Sequence, residues 1–94
     1  RMGLGQKLLK KLIVKCTAKG FRQMVAVVGD SDNCMSINFH KKMGFEEVGV
    51  IRSIGYKFDR WLDSVILQLT LGEGDTAPPK LATQSSISSA SIVD

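Results

Sequence analysis

The chain has 94 residues, 13 Lys and Arg against 9 Asp and Glu, a formal net charge of +4 at pH 7, and 44% apolar residues. That length allows one small domain with a modest core. No apolar run approaches the roughly 18 residues that suggest a membrane span, and no signal peptide is visible, so no membrane partner is expected. Two cysteines, Cys16 and Cys34, form no CxxC pair, and no Cys/His spacing suits zinc. No metal site is expected. The cysteines read as reduced thiols of an intracellular, cytoplasmic protein. The charge is unevenly spread: residues 72–94 carry Glu73, Asp75 and Asp94 against Lys80, which leaves the rest more basic than the total. A basic surface suits nucleic acid, anionic lipid or a phosphate-bearing cofactor. The lysines are spread over helix faces without an aromatic platform, which argues against nucleic acid.

The chain opens on Arg1-Met2-Gly3-Leu4-Gly5, two glycines at the mouth of a helical pattern. Glycine lets the backbone approach a ligand closely, and the first helical turn has free amide donors at the positive end of the dipole. Such a turn suits a phosphate, although most Gly-x-Gly junctions are only structural. From Leu4 to Lys19 the period is helical. Leu4, Leu8, Leu12 and Cys16 form an i+4 row with Leu9 and Ile13 beside it, and Lys7, Lys10, Lys11 and Lys15 take the wet side. Gly20 ends the helix. Phe21 to Val28 is a nearly continuous β-rich run and predicts a central strand covered on both faces. A helix leading into a buried parallel strand crosses over from another strand before it. That strand is expected upstream of Arg1, so the sequence reads as a fragment, and its central strand is expected to have an open edge.

Gly29-Asp30-Ser31-Asp32-Asn33 is a turn cluster in which Asp32 or Asn33 can cap a second helix, roughly Cys34 to Met43. Met35, Phe39 and Met43 make its apolar row, with Ile37 nearby, and Gly44 ends it. A strand is predicted over Phe45–Ile51, an irregular stretch over Arg52–Arg60 that reads as a recognition element or a surface connection with a packed aromatic, and a half-buried strand over Trp61–Leu71. Residues 72–94 have Pro78, Pro79 and a serine-rich run but no periodicity, and are expected to form a disordered tail.

This order of glycine turn, helix, strand, helix, strand, strand resembles the C-terminal half of a GCN5-related N-acetyltransferase (GNAT). Arg1-Met2-Gly3-Leu4-Gly5 matches the end of the family's Q/R-x-x-G-x-G/A turn. Asn33, Ser36 and His40-Lys41-Lys42-Met43-Gly44-Phe45 match its Asn-to-Gly-Phe segment. Gly55-Tyr56-Lys57-Phe58-Asp59-Arg60-Trp61-Leu62-Asp63 is similar to the G-x-K-F-G-R-W-L-D loop of the phosphinothricin and methionine sulfoximine N-acetyltransferase branch, departing only at Asp59.

The resemblance implies an α/β (α+β) fold with a mixed sheet and two helices, residues 1–71 being a partial acetyltransferase domain. It implies acetyl-CoA as cosubstrate and a small amine, such as an amino acid or analogue, as acceptor. Arg1, Met2, Gly3, Leu4 and Gly5 would hold the pyrophosphate, Asn33 the pantetheine arm and Lys42 a phosphate. His40, the sole histidine, would move a proton near the sulfur. A homodimer is expected by the same resemblance. The acidic residue and the oxyanion amide of the family would lie upstream, so residues 1–94 alone are expected neither to fold stably nor to acetylate. The competing reading is a non-catalytic GNAT-like fragment that binds CoA or a partner chain.

Overall fold

Two backbone stops decide where the helices end. In the computed structural model, which describes residues 2–78 and 89–93, helix α1 spans Met2–Ala18 and helix α2 spans Cys34–Lys42. Past α1, Gly20 has φ +94°. The Phe21 amide donates to the Cys16 carbonyl at 3.1 Å and the Gly20 amide to Thr17 at 3.0 Å. Past α2 the pattern repeats. Gly44 has φ +102°, Phe45 donates to His40 at 3.0 Å, and Gly44 donates to Lys41 at 3.0 Å. These paired bonds form the Schellman motif, which satisfies orphan carbonyls at the helix end and puts a left-handed residue at the position where Gly is cheapest.

The strands are β1 (Gln23–Val28), β2 (Glu46–Lys57), β3 (Arg60–Thr70) and β4 (Ser89–Val93), joined in one mixed sheet in the order β2-β3-β1-β4. β1 is the buried strand expected. Met24, Ala26 and Val28 are fully enclosed, and Gln23, Val25 and Val27 between them are half-buried. Its edge is not open, however, because β4 lies beside it. An unpaired edge leaves a row of backbone donors and acceptors wanting partners, and a short segment with Ile and Val can supply them. The expectation of a disordered tail over 72–94 therefore does not describe residues 89–93. Nor does it describe residues 72–75, which form hydrogen-bonded turns. Residues 79–88 of that expectation lie outside the described residues.

The chain divides into two compact units. In the first, Arg1–Met24 with Thr70–Ala90, Leu9, Cys16, Met24 and Leu71 are buried. The Leu71 amide donates to the Arg22 carbonyl at 2.8 Å. The Arg22 guanidinium donates to the carbonyls of Gly74, Ala77 and Pro78 at 2.6, 2.9 and 2.8 Å, which ties down the chain after β3. The expected apolar row of α1 is only half right, since Leu4 is 64% and Leu8 60% exposed. An i+4 row advances about 40° per step around a helix of 3.6 residues per turn, so Leu4 and Cys16 lie about 120° apart. The covered face instead runs through Leu9, Leu12, Ile13 and Cys16.

In the second unit, Val25–Leu69 with Ser91–Asp94, β2 and β3 form an antiparallel hairpin where an irregular stretch had been predicted. Its turn is two residues long. Lys57 pairs with Arg60, and Phe58 and Asp59 between them have φ +55° and +59°. Positive φ at both central positions matches the right-handed twist of the strands and defines a type I′ turn. Arg52–Ile54 forms a bulge between the pairs Ile51↔Ser64 and Gly55↔Leu62. Ser53 sits there at φ +50°, its amide held by Asp63 Oδ1 at 2.8 Å. Tyr56 and Trp61 face each other across the hairpin with ring centroids 5.1 Å apart, a pairing worth up to about 1 kcal/mol. These aromatics hold the hairpin. On α2, Ile37 and His40 are buried while Met35 is 77% exposed, so the Met35–Phe39–Met43 row is not the inner face.

Asp59 occupies a left-handed position that Gly fills without steric cost, so Asp59→Gly should stabilise the hairpin by about 1 kcal/mol. The gain should appear as a melting temperature higher by roughly 4–8 °C; an unchanged or lower value would show that Asp59 is not strained.

Candidate functional site

The α2 segment is assembled by helix-end chemistry. Asp30 shapes the approach, its carboxylate accepting from the Asp32 amide at 2.9 Å and its carbonyl from the Asn33 amide at 2.9 Å. Asn33 is the N-cap, its side-chain oxygen accepting from the Ser36 amide at 3.2 Å. An amide or carboxylate at this position replaces one of the four missing intrahelical partners. Of the two caps the sequence allowed, Asn33 is the one used.

Asn33, Ser36 and His40 follow at spacings that share one side of a helix. His40 is 4% exposed. Its ring meets Phe39 edge-on at 5.4 Å and Phe45 at 5.3 Å between centroids. Its Nδ1 lies 2.8 Å from the Ser36 carbonyl oxygen. A carbonyl only accepts, so Nδ1 carries the proton in this bond and Nε2 is the ring nitrogen left for proton exchange. The same residue supplies the main-chain carbonyl that Phe45 bonds to at the helix stop. Ring and backbone of His40 are thus held together, one from each end of the last turn. Ser36 Oγ is buried without a hydrogen-bond partner among the described residues. Lys42 is exposed in the last turn, next to Lys41, which pairs with Glu47 at 3.3 Å.

The glycine turn sits differently from expectation. Helix α1 already begins at Met2, so Gly3, Leu4 and Gly5 form its first turn instead of a loop ahead of it. Neither glycine has positive φ. What they offer is access. A Cβ at Gly3 would meet nothing within 4 Å, and α1 has no acidic residue in its first turn to repel an anion. A phosphate fits that helix end on physical grounds. Arg1 lies outside the described residues. Leu4 is exposed, and with Lys7, Leu8, Lys10 and Lys11 it lines a surface hollow of about 330 Å³ that the residue pattern had assigned to core and solvent.

A second network joins the start of β3 to the turn before α2. Arg60 reaches Asp30 at 3.0 Å and Asp32 at 3.4 Å, and the Ser31 amide donates to the Asp63 carbonyl at 2.8 Å. The available signal was Arg60 and Asp63 within the quoted loop motif. Cys16 is buried and Cys34 exposed, both free. Among the described residues no helix is long and apolar enough to cross a membrane.

Known proteins of similar sequence and fold identify the family. A model described as an acetyltransferase (GNAT) domain matches residues 1–66. The chain is 45% identical over 78 residues to a phosphinothricin N-acetyltransferase of Alcaligenes faecalis, covering 83% of this chain and 40% of that protein. It is 43% identical over 76 residues to an L-methionine sulfoximine/L-methionine sulfone acetyltransferase of Pseudomonas aeruginosa, covering 81% and 44%. Among solved structures, a phosphinothricin acetyltransferase from Sinorhizobium meliloti in complex with acetyl-CoA superposes with a TM-score of 0.79 at 42% identity, covering 88% of this chain and 44% of that one. The chain therefore spans less than half the length of these relatives. A family match over most of its residues, with the same fold at this identity, means that the chain belongs to the GNAT acetyltransferase family.

Proposed function

We propose that this chain serves acetyl transfer from acetyl-CoA to the amine of a small molecule, an amino acid or analogue such as phosphinothricin or methionine sulfoximine. The observation that carries the reading is the α2 segment, in which one helix holds an N-capping Asn33 and a buried His40 with a defined ring tautomer. In this reaction the amine nitrogen forms a bond to the thioester carbonyl carbon and gives up a proton, the carbon–sulfur bond breaks, and the departing thiolate takes a proton. His40 would first take up the amine's proton at Nε2, directly or through water, and then pass it to the thiolate, while Nδ1 stays on the Ser36 carbonyl and keeps the ring from turning. The first turn of α1, through Met2, Gly3, Leu4 and Gly5 with Arg1 before it, would hold the pyrophosphate by backbone amides. Asn33 would contact the pantetheine arm, and Lys42 a phosphate.

The protein would act in the cytoplasm as a homodimer. β2 is an outer strand with Val48, Val50, Ile51, Ile54 and Tyr56 exposed, an apolar edge suited to a second copy. Against this stands the reading of a non-catalytic chain that binds CoA or a partner.

The readings separate in a graft. Residues 1–71 replace the matching part of the Alcaligenes faecalis enzyme, and the product is melted with acetyl-CoA. At a hundredfold excess over Kd the ligand should add about 2.7 kcal/mol, or roughly 5–11 °C. No shift would remove the cofactor reading, and a shift without acetyl transfer would favour the binding protein.

In the same graft, His40→Asn keeps a donor for the Ser36 carbonyl and removes the exchangeable nitrogen. It should lower kcat by about a hundredfold with little change in KM for acetyl-CoA. Parental kcat would leave His40 a packing residue.

A further inference from the structure

The start of β3 holds the entrance to α2 from outside the helix. Arg60 lies between two carboxylates of the 29–33 turn, 3.0 Å from Asp30 and 3.4 Å from Asp32. Three residues on, Asp63 accepts from the Ser31 amide through its carbonyl and from the Ser53 amide through its side chain, both at 2.8 Å. One short piece of strand thus grips the turn before Asn33 and the bulge of β2. The type I′ turn at Phe58–Asp59 fixes the register that puts Arg60 opposite Lys57, so the guanidinium is delivered to the turn by backbone geometry. From this we infer that Arg60 is a positioning residue. It sets the conformation and charge of the 30–33 turn and acts on cosubstrate only through Asn33.

Two physical effects point the same way. The turn is short and polar, and its own bonds, Asp32 amide to Asp30 Oδ1 and Asn33 amide to the Asp30 carbonyl, hold Asp30 in place. Without Arg60, the carboxylates of Asp30 and Asp32 would stand in one short turn without this cation, beside the Asn33 proposed for the pantetheine arm. Like charges disfavour the turn conformation that presents Asn33. The magnitude is bounded by exposure. Arg60 and Asp30 are 48% and 34% exposed and Asp32 79%, so the pairs lie in the range of solvent-screened bridges, and a loss of about three- to fivefold is the size to look for.

The inference rests on the acetyl-CoA reading, and its test separates the two. In the graft without ligand, Arg60→Ala should move the amide resonances of Ser31, Asp32 and Asn33. Lys41→Ala, which breaks the comparably exposed Lys41–Glu47 pair, should leave them in place. Unmoved turn resonances in Arg60→Ala would overturn the positioning role, whatever the ligand does. In the graft, Arg60→Ala should raise KM for acetyl-CoA about three- to fivefold with kcat nearly unchanged, and Arg60→Lys should recover part of the loss. Asp30→Asn combined with Arg60→Ala should lose no more than Arg60→Ala alone, because residues acting as a unit are not additive. An unchanged KM, or losses that simply multiply in the double variant, would overturn the inference. A parent graft that neither binds acetyl-CoA nor transfers acetyl would overturn the functional reading instead, with the ligand-free resonances still deciding the role of Arg60.

Discussion

The left-handed backbone at Gly44 is the constraint from which the α2 segment is built. A residue with a Cβ there would carry strain at φ +102° and would press on Leu69 Cδ1 at 3.3 Å. With glycine in place, the chain reverses so that Phe45 donates to the His40 carbonyl and sets its ring against the imidazole. A Schellman stop places the residue two past the C-cap against the residue three before it. The proximity of His40 and Phe45 is therefore a property of the turn itself. The burial of His40 follows, and with it the need for a partner at Nδ1, which the helix provides through the Ser36 carbonyl one turn earlier.

The hairpin shows how a local departure is absorbed. A two-residue turn with both φ values positive favours Asn-Gly or Asp-Gly, and this chain has Phe58-Asp59. The cross-strand pair of Tyr56 and Trp61, next to the turn, supplies cohesion that the turn residues do not. Asp63 contributes again by satisfying the Ser53 amide at the bulge, so the strand bends without leaving that donor unpaired. The aromatic and charged residues of this stretch read as a recognition loop when taken by type alone. Their register makes them a scaffold, and the scaffold reaches the turn that begins α2.

The apolar rows of both helices were misjudged for a common reason. An i+4 series drifts around the helix, so a row of four leucine-like residues cannot stay on one face. Leu4 and Leu8, and likewise Met35, end on the exposed side, while Leu9, Ile37 and His40 turn inward. Strand β1 was easier to read, because alternation on a strand has no such drift.

What the residues alone determined are the features enforced by local chemistry: glycine stops at Gly20 and Gly44, an Asx cap ahead of α2, a buried β1, and family motifs whose spacing reflects those same turns. They were legible because each depends on neighbours within a few positions. The tertiary structure alone decided the pairings across distance. It put β4 beside β1, made a two-residue hairpin of a stretch that looked irregular, tied Arg22 to the carbonyls after β3, and brought Arg60 to Asp30 across 30 residues of chain. Residue types permit many such pairings. Only the sheet order and register, set by burial and backbone hydrogen bonding together, select among them.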